Sequence, residues 1–352
     1  MAPPLQTDTI EQFISSLPKA ELHVHLEGSV EPDTLWELAV RQQSPLAARG
    51  RGAVDALYAT QSFADFIEAF KTVCLHLRTP EDYELVTCHV LRRLAAQNVR
   101  YAEIILSAGV MLWKGQDIAA MFAGVEAGAH RAQRESGIRV QWIFDAVRHL
   151  RHSIEQAWQV ARAAADLRHR GVIGIGIGGD EAGGPAERFR EVFAFARREG
   201  LRLTAHAGET VGPESIWDAL RALGAERIGH GLTAGKDKQL LTYLADKGIP
   251  VEICLTSNVR TGGVKELSEH PLRRYFDQGV HVSLHSDDPA LFGTTLNREY
   301  LLAHQAFGFT RDELRRLAMN SFEAAFLPPE EKQSYLAAFA EQAKRFPYTE
   351  KR

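Results

Sequence analysis

Short apolar runs alternate along the chain with longer stretches whose apolar residues recur at helical spacing. The runs Glu21–Leu26, Arg100–Leu106, Val140–Val147, Val172–Ile177, Arg202–Ala207, Arg227–His230, Val251–Leu255 and Val280–His285 read as strands. Between them, Ile118, Met121, Phe122 and Val125, or Phe189, Val192, Phe193 and Ala196, fall at i, i+3, i+4 spacing and predict amphipathic helices. Strands that alternate with helices pair in parallel through crossover connections. Eight such strands are enough to close a barrel. An open doubly wound sheet would need a glycine-rich phosphate loop after an early strand, and the first strand here runs instead into His25-Leu26-Glu27-Gly28-Ser29. The run Gly174–Gly179 reads G-I-G-I-G-G, lacks the G-x-G-x-x-G order and lies inside a strand. It predicts a strand whose backbone something approaches closely. The expected fold is an α/β (β/α)8 (TIM) barrel, a single domain over residues 1–352 with additional N-terminal and C-terminal helices.

The first twenty or so residues and the segment Arg41–Gln61 look like additions to that barrel. Ser62–Leu77 predicts an amphipathic helix with Phe63, Phe66, Ile67 and Phe70 on one face, serving either as core or as a lid over an apolar ligand. The helical stretches Arg311–Phe326 and Pro329–Arg345 look structural.

Composition narrows the setting. A net charge of −4 and a pI near 6.4 give no basic footprint for nucleic acid or for an anionic membrane. No apolar run reaches the ~18 residues of a membrane span. The segment Met1–Asp8 has neither a basic start nor an apolar core, so it does not read as a signal peptide. Cys74, Cys88 and Cys254 are isolated and form no C-x-x-C pattern, which argues against a disulfide framework and fits a reducing compartment. The expectation is a cytoplasmic protein with no nucleic-acid or membrane partner.

The strongest chemical signal is His23-Val24-His25. Alternate residues of a strand share a face, so the two imidazoles project together, and such a pair suits a metal such as zinc. Other strand ends carry residues of the same kind. His206-Ala207-Gly208-Glu209 closes the fifth strand, His230 between Gly229 and Gly231 closes the sixth, and Asp287-Asp288-Pro289 follows the eighth. Barrel sites are assembled from the C-terminal ends of the strands, where all four groups lie. Among the other histidines, His76, His89, His130, His152, His169, His270 and His304 fall in helical stretches and read as surface or packing residues. His149, after the third strand, is ambiguous. His281 and His285 share the strand face of Asp287 and are inward candidates, with His285 nearer the metal layer.

These segments, in order, resemble the adenosine deaminase family: Pro18-Lys19-Ala20-Glu21-Leu22-His23-Val24-His25-Leu26-Glu27-Gly28-Ser29, Gly178-Gly179-Asp180-Glu181, His206-Ala207-Gly208-Glu209, Arg227-Ile228-Gly229-His230-Gly231, Thr256-Ser257-Asn258 and Ser286-Asp287-Asp288-Pro289. The resemblance spans essentially the whole chain. It implies that His23, His25, His206 and Asp287 hold one Zn²⁺ per chain, leaving a position for water. It further implies that Glu209 protonates purine N1 as hydroxide attacks C6, and that His230 orients the water and stabilises its charge. Asp288 would contact N7, the Gly179 backbone N3, and Glu27 the ribose 5′ side. Chemically, zinc lowers the pKa of water from 15.7 to about 7, and a positioned carboxylic acid contributes about 10²–10⁴-fold. The other zinc deaminase class uses H-x-E with P-C-x-x-C, which the cysteines here cannot supply.

Three departures from the family pattern bear on substrate. Glu27 stands where Asp is usual, and as the second residue after His25 it is expected on the same inward face. The second strand reads Glu103-Ile104-Ile105-Leu106-Ser107-Ala108, without the usual Arg and Ser-Pro, and His285 replaces an Asn. The expected substrate is an adenine nucleoside, either adenosine itself or a 5′-substituted one such as aminodeoxyfutalosine. Adenine deamination is the alternative, since Phe292-Gly293-Thr294-Thr295-Leu296 with Glu299-Tyr300 resembles the nucleoside-specific version more. A mononuclear amidohydrolase of another cyclic substrate is also compatible with the ligand set. The bridging lysine of binuclear amidohydrolases has no counterpart at Gly178-Gly179-Asp180-Glu181.

Overall fold

The computed structural model describes residues 9–60, 62–148 and 152–346. Its centre is an eight-stranded sheet in sequence order. The strands are β1 (Lys19–His25), β2 (Val99–Leu106), β3 (Arg139–Val147), β4 (Val172–Gly178), β5 (Arg202–Ala207), β6 (Arg227–His230), β7 (Val251–Ile253) and β8 (Val282–Leu284). Every neighbouring pair is parallel. A parallel bridge between Val24 and Asp287 brings the last strand back to the first. Two hydrogen bonds accompany it, from His25 N–H to Asp287 O at 2.8 Å and from Asp287 N–H to His23 O at 3.0 Å. The expected barrel is present, and its seam lies directly beneath the His23–His25 pair.

The expected strands are all found, with shifted ends. β7 stops at Ile253 because Thr256-Ser257-Asn258 belongs to a helix, Leu255–Arg260. β8 starts late because the N–H of Val280 still bonds Tyr275 O in the preceding turn. Leu22, Val24, Ile104, Phe144, Ile175, Ile177, Leu203 and Ala205 are buried in the main hydrophobic core under the outer helices. The opposite face fills the lumen with charge. Arg227 on β6 lies 2.6 Å from Glu103 on β2 and 2.6 Å from Glu252 on β7, and Glu252 lies 2.9 Å from His23 on β1. Groups on strands so far apart in sequence order meet only inside the barrel.

Beneath this network, Phe326 joins Ile105 and Ile143 in a small apolar cluster, and the Arg227 guanidinium lies 3.7 Å from its ring centroid. Phe326 follows the helix Arg311–Ala324, so the C-terminal segment supplies the floor of the barrel. The helix Ile10–Ser16 is fixed at its start by a reciprocal capping box between Thr9 and Gln12. Between β1 and β2 the chain inserts five helices, the fourth being Phe63–His76 with Ser62 as its N-cap. That helix packs on the turn Glu27–Ser29 and on the short helix Pro289–Phe292, with Phe66 stacked on Phe292 at 4.6 Å. It therefore covers the ends of β1 and β8. Among the described residues no helix is long and apolar enough to cross a membrane.

Candidate active site

His23 and His25 point into the barrel mouth from β1, as strand alternation requires. The Nε2 atoms of His23 and His25 lie 3.1 and 3.3 Å from His206 Nε2. Asp287 Oδ1 is 3.5 Å from His23 Nε2 and 3.3 Å from His25 Nε2. Asp287 reaches that point with φ of +62°, a left-handed conformation uncommon outside glycine, and His230 does the same at +64°. Strain at two site residues marks positions that the surrounding structure over-determines.

Burial opposes charge on His23, but hydrogen bonds to Asp287 and Glu252 outweigh it and hold the imidazolium up to about 10. His25 is likewise opposed by burial and raised to about 9 by Asp288 and Asp287. His206 goes the other way, well below its ordinary value, through burial and the three neighbouring imidazoles. The four ligand atoms lie within 4.8 Å of one another. Zinc–nitrogen bonds of about 2.0–2.1 Å in tetrahedral geometry separate ligand atoms by about 3.3–3.4 Å, close to the spacings here. Three imidazoles and a carboxylate form the donor set of a divalent transition metal, so the residues fit such an ion.

Three of the four donors have a support behind them. His23 Nδ1 donates to Glu252, His206 Nδ1 faces Ile177 O at 3.2 Å, and Asp287 Oδ2 accepts from Ser257 Oγ at 2.5 Å. Arg148, buried, donates to His206 O at 2.7 Å and fastens the end of β5. Such partners orient ligands and raise their basicity.

Glu209 and His230 stand together beside the donor set, with Glu209 Oε2 3.7 Å from His230 Nε2. Glu209 also accepts from Thr261 Oγ1 at 3.2 Å. Its backbone is shaped by Glu181, whose carboxylate accepts from the N–H groups of Gly208, Glu209, Thr210 and Val211 at 2.6–3.1 Å. His230 Nδ1 meets Asn258 Nδ2 at 2.9 Å, and Asn258 Oδ1 meets His270 Nε2 at 3.0 Å.

The remaining candidates surround this centre. Asp288 is buried, its Oδ1 has no partner among the described residues, and burial followed by the Asp287 charge pushes its carboxyl well above the usual range. Gly179 follows directly on β4, with φ of +92°. Glu27 departs from the inward-face expectation, because β1 ends at His25 and Glu27 opens a short 3₁₀ turn. Its Oε1 reaches sideways to accept from Ser107 N–H at 3.1 Å, tying the end of β1 to β2, while the buried Oε2 has no partner among the described residues. The glycine run on β4 is explained by Asp145 of β3: a carbon added at Gly176 or Gly178 would fall 2.9 or 2.8 Å from its carboxylate oxygens. Asp145 Oδ1 is another buried, unpartnered oxygen, and burial raises this carboxyl to about 6.

Two histidine expectations need correction. His281 turns outward, with Nε2 3.2 Å from Asn320 O on the helix Arg311–Ala324, because it precedes β8 rather than lying in it. His270 is neither helical nor superficial. It follows the short turn Leu267–Glu269, is buried, and stands behind His230 through Asn258. His285 is inward but does not reach the donor set, packing instead against Ser283 at 2.8 Å, Leu22 N–H at 3.1 Å and Glu21 at 3.2 Å. His149 lies outside the described residues.

Comparison with known proteins agrees with this geometry. The family model described as adenosine deaminase matches residues 18–342. The chain is 42% identical over 320 residues to an aminodeoxyfutalosine deaminase of Streptomyces avermitilis, covering 90% of this chain and 89% of that one. Its fold is similar to the crystal structure of an adenine deaminase from Arthrobacter aurescens, with a TM-score of 0.88 and 29% identity over 93% of this chain and 99% of the other. It is equally similar to an amidohydrolase from Burkholderia ambifaria with bound Zn, with a TM-score of 0.87 and 28% identity over 98% and 95% of the two chains. The chain belongs to the adenosine deaminase family, and it is an enzyme that acts on a carbon–nitrogen bond.

Proposed function

We propose that the chain is a zinc-dependent hydrolytic deaminase that replaces the 6-amino group of an adenine nucleoside by the oxygen of water and releases it as ammonia, with a 5′-substituted adenosine as its preferred substrate. The observation that carries this reading is the placement of Glu209 and His230, 3.7 Å apart, beside the donor set His23, His25, His206 and Asp287. The relative at 42% identity, an aminodeoxyfutalosine deaminase, supports the 5′-substituted class, and the Burkholderia structure supports zinc.

His23, His25, His206 and Asp287 would hold a zinc ion, which would supply a water-derived nucleophile at neutral pH by lowering the pKa of its water to about 7. The residues around it do the rest. Glu209 delivers a proton to purine N1, which draws electron density from C6 and makes it electrophilic. His230 donates a hydrogen bond to the incoming oxygen and stabilises the charge that develops there. Asp288 offers its carboxyl, whose Oδ1 has no partner among the described residues, to N7, and the N–H of Gly179 faces N3. Glu27 presents its free Oε2 toward the sugar, with its other oxygen committed to Ser107.

Free adenine is the second reading, favoured by the Arthrobacter adenine deaminase. A panel read by loss of adenine absorbance separates the two: adenosine, deoxyadenosine, adenine, methylthioadenosine, S-adenosylhomocysteine and aminodeoxyfutalosine. The highest kcat/KM is expected on a 5′-substituted nucleoside. Adenine as the best substrate would transfer the assignment to the second reading, and metal-loaded protein that deaminates nothing in the panel would overturn both.

A further inference from the structure

We propose that His270 and Asn258 act as positioning residues that lock His230 as a hydrogen-bond donor, with its proton on Nε2 and no capacity to serve as a base. The inference rests on the deaminase reading for its consequence, but the hydrogen-bond chain itself is independent of substrate.

The chain of bonds starts at the backbone. Leu272 N–H lies 3.1 Å from His270 Nδ1. A peptide N–H can only donate, so Nδ1 is an acceptor and the ring proton sits on Nε2. His270 Nε2–H then donates to the Asn258 atom 3.0 Å away, which fixes that atom as Oδ1. The other end of the amide is therefore NH₂, and it lies 2.9 Å from His230 Nδ1. Two donors cannot share that contact, so Nδ1 of His230 accepts and its proton is on Nε2. Each link leaves one arrangement for the next. The peptide N–H of Leu272 thus determines the tautomer of a ring two side chains away.

Burial makes the relay stable. His270, Asn258 and His230 are all at most 4% exposed, so water does not compete for the three contacts. Burial pushes His270 down to about 3, which keeps it neutral throughout the working range. The consequence is directional. His230 Nε2–H points to the side of Glu209, where the reacting oxygen would arrive. Turning His230 into an imidazolium would place a proton on Nδ1 against the Asn258 amide. Two side chains that had read as a packing histidine and part of a motif therefore separate a donor role from a base role.

The test uses the zinc-loaded chain. ¹⁵N-histidine NMR of the wild type is expected to show His230 with Nε2 protonated and Nδ1 as acceptor, and Nδ1 protonated would overturn the proposal whether or not any substrate is turned over. Asn258→Asp is nearly isosteric but presents only acceptors, so the His230 proton should move to Nδ1. Loss of a donor aimed at the developing charge lowers kcat by about 10²–10³-fold, with zinc retained and KM little changed. Wild-type turnover in that variant would sink the proposal. For His270, the Leu variant removes the donor to Asn258 and should cost about 10–100-fold in kcat, whereas the Gln variant keeps an N–H donor and should recover part of the loss. Equal losses in both, with zinc bound, would reduce His270 to packing and overturn its role. If the wild type deaminates nothing, the enzymatic reading fails while the NMR result still decides the relay.

Discussion

A carbon added to the Cα of Gly28 would fall 1.7 Å from Oδ1 of Asp288. The carboxyl of Asp288 therefore occupies the space where any other residue at position 28 would carry its side chain. The turn after β1 and the turn after β8 interlock at this point, and the glycine of the His25-Leu26-Glu27-Gly28 segment is what permits it. Gly28→Ala must displace Asp288 from its buried position. We expect kcat/KM to fall by at least ~10²-fold, because a 1 Å misplacement of a substrate-positioning group costs that much. Gly52→Ala is the control, since nothing lies within 4 Å of the carbon it adds. Equal activity in the two variants would show that Asp288 does not position the substrate.

Glu209→Gln keeps the size of the side chain and its contact with Thr261 while removing the acidic proton. Turnover should drop by ~10²-fold or more, the lower range for general acid catalysis. Zinc content and the KM for the nucleoside should stay near wild type, because the change removes an interaction made in the transition state. Single-turnover kinetics and metal analysis read the two effects separately. A variant with unchanged kcat would assign the proton to another group.

Zinc should be present at about one ion per chain, since among the described residues one set of four donors is assembled in the barrel mouth. His206→Ala and His23→Ala should lose metal and activity together. Chelation of the wild type should also lower its thermal midpoint, because a metal that binds only the folded chain stabilises it by mass action. A chain that keeps its midpoint and its activity after exhaustive chelation would remove the ion from the assignment.

Much of this site was legible in the sequence because the barrel concentrates function at strand ends. His23-Val24-His25, His206, Glu209, His230, Asp287 and Asp288 follow apolar runs, and alternation or adjacency to the run shows which way they face. The supports behind them were less visible, for physical reasons. Glu252 interrupts the run Val251–Ile253 and Glu103 interrupts another, and charges in otherwise apolar strands were a signal that they face a lumen partner. Glu181, Asn258 and His270 gave no such signal, because they act from turns and short helices whose direction no periodicity encodes. His270 shows the difficulty most clearly, since its position behind His230 depends on a reversal of the chain after Arg260. Glu27 misled for the converse reason. Period-two alternation was extended beyond His25, where β1 had already given way to a 3₁₀ turn. The glycines of β4 announced a close approach, but the approaching group is Asp145 on the neighbouring strand.

The lumen network predicts a stability effect separate from chemistry. Arg227 is fully buried between Glu103 and Glu252, each 2.6 Å away. Burial opposes ionisation of Glu252, yet Arg227 and His23 pull it down to about 2. Arg227→Met fits the same space but strands two buried carboxylates, and breaking a buried pair costs about 3–5 kcal/mol. The denaturation midpoint should fall accordingly. Glu252→Gln in the Arg227→Met background should restore part of it by removing one stranded charge. A midpoint equal to wild type in the single variant would mean that the charges relax into solvent on losing their partner.

Lys19 gives the stability a pH dependence that can be isolated. Its amine is fully buried at the foot of β1, with carbonyl acceptors at Ile14 (2.8 Å) and Leu17 (2.7 Å). A neutral amine has two N–H groups for these two acceptors, whereas an ammonium carries a third proton. Burial, reinforced by the charge of Arg100, lowers this amine from 10.5 to about 7. Below about 7 it is charged in both the folded and the unfolded chain. Between about 7 and 10.5 the folded chain has released a proton that the unfolded chain keeps. The unfolded state then binds more protons, so this group makes stability rise with pH across that window. Lys19→Met removes the titration together with the two hydrogen bonds. The bonds contribute a constant offset, and all other titrating groups cancel when variant is compared with wild type. The wild-type advantage in unfolding free energy should therefore grow as pH goes from about 7 toward 10, measured by denaturant titration at each pH. A constant difference across that range would show that Lys19 stays charged in the folded barrel, with its third proton satisfied by the face of the Tyr300 ring, whose centroid lies 6.0 Å from the amine.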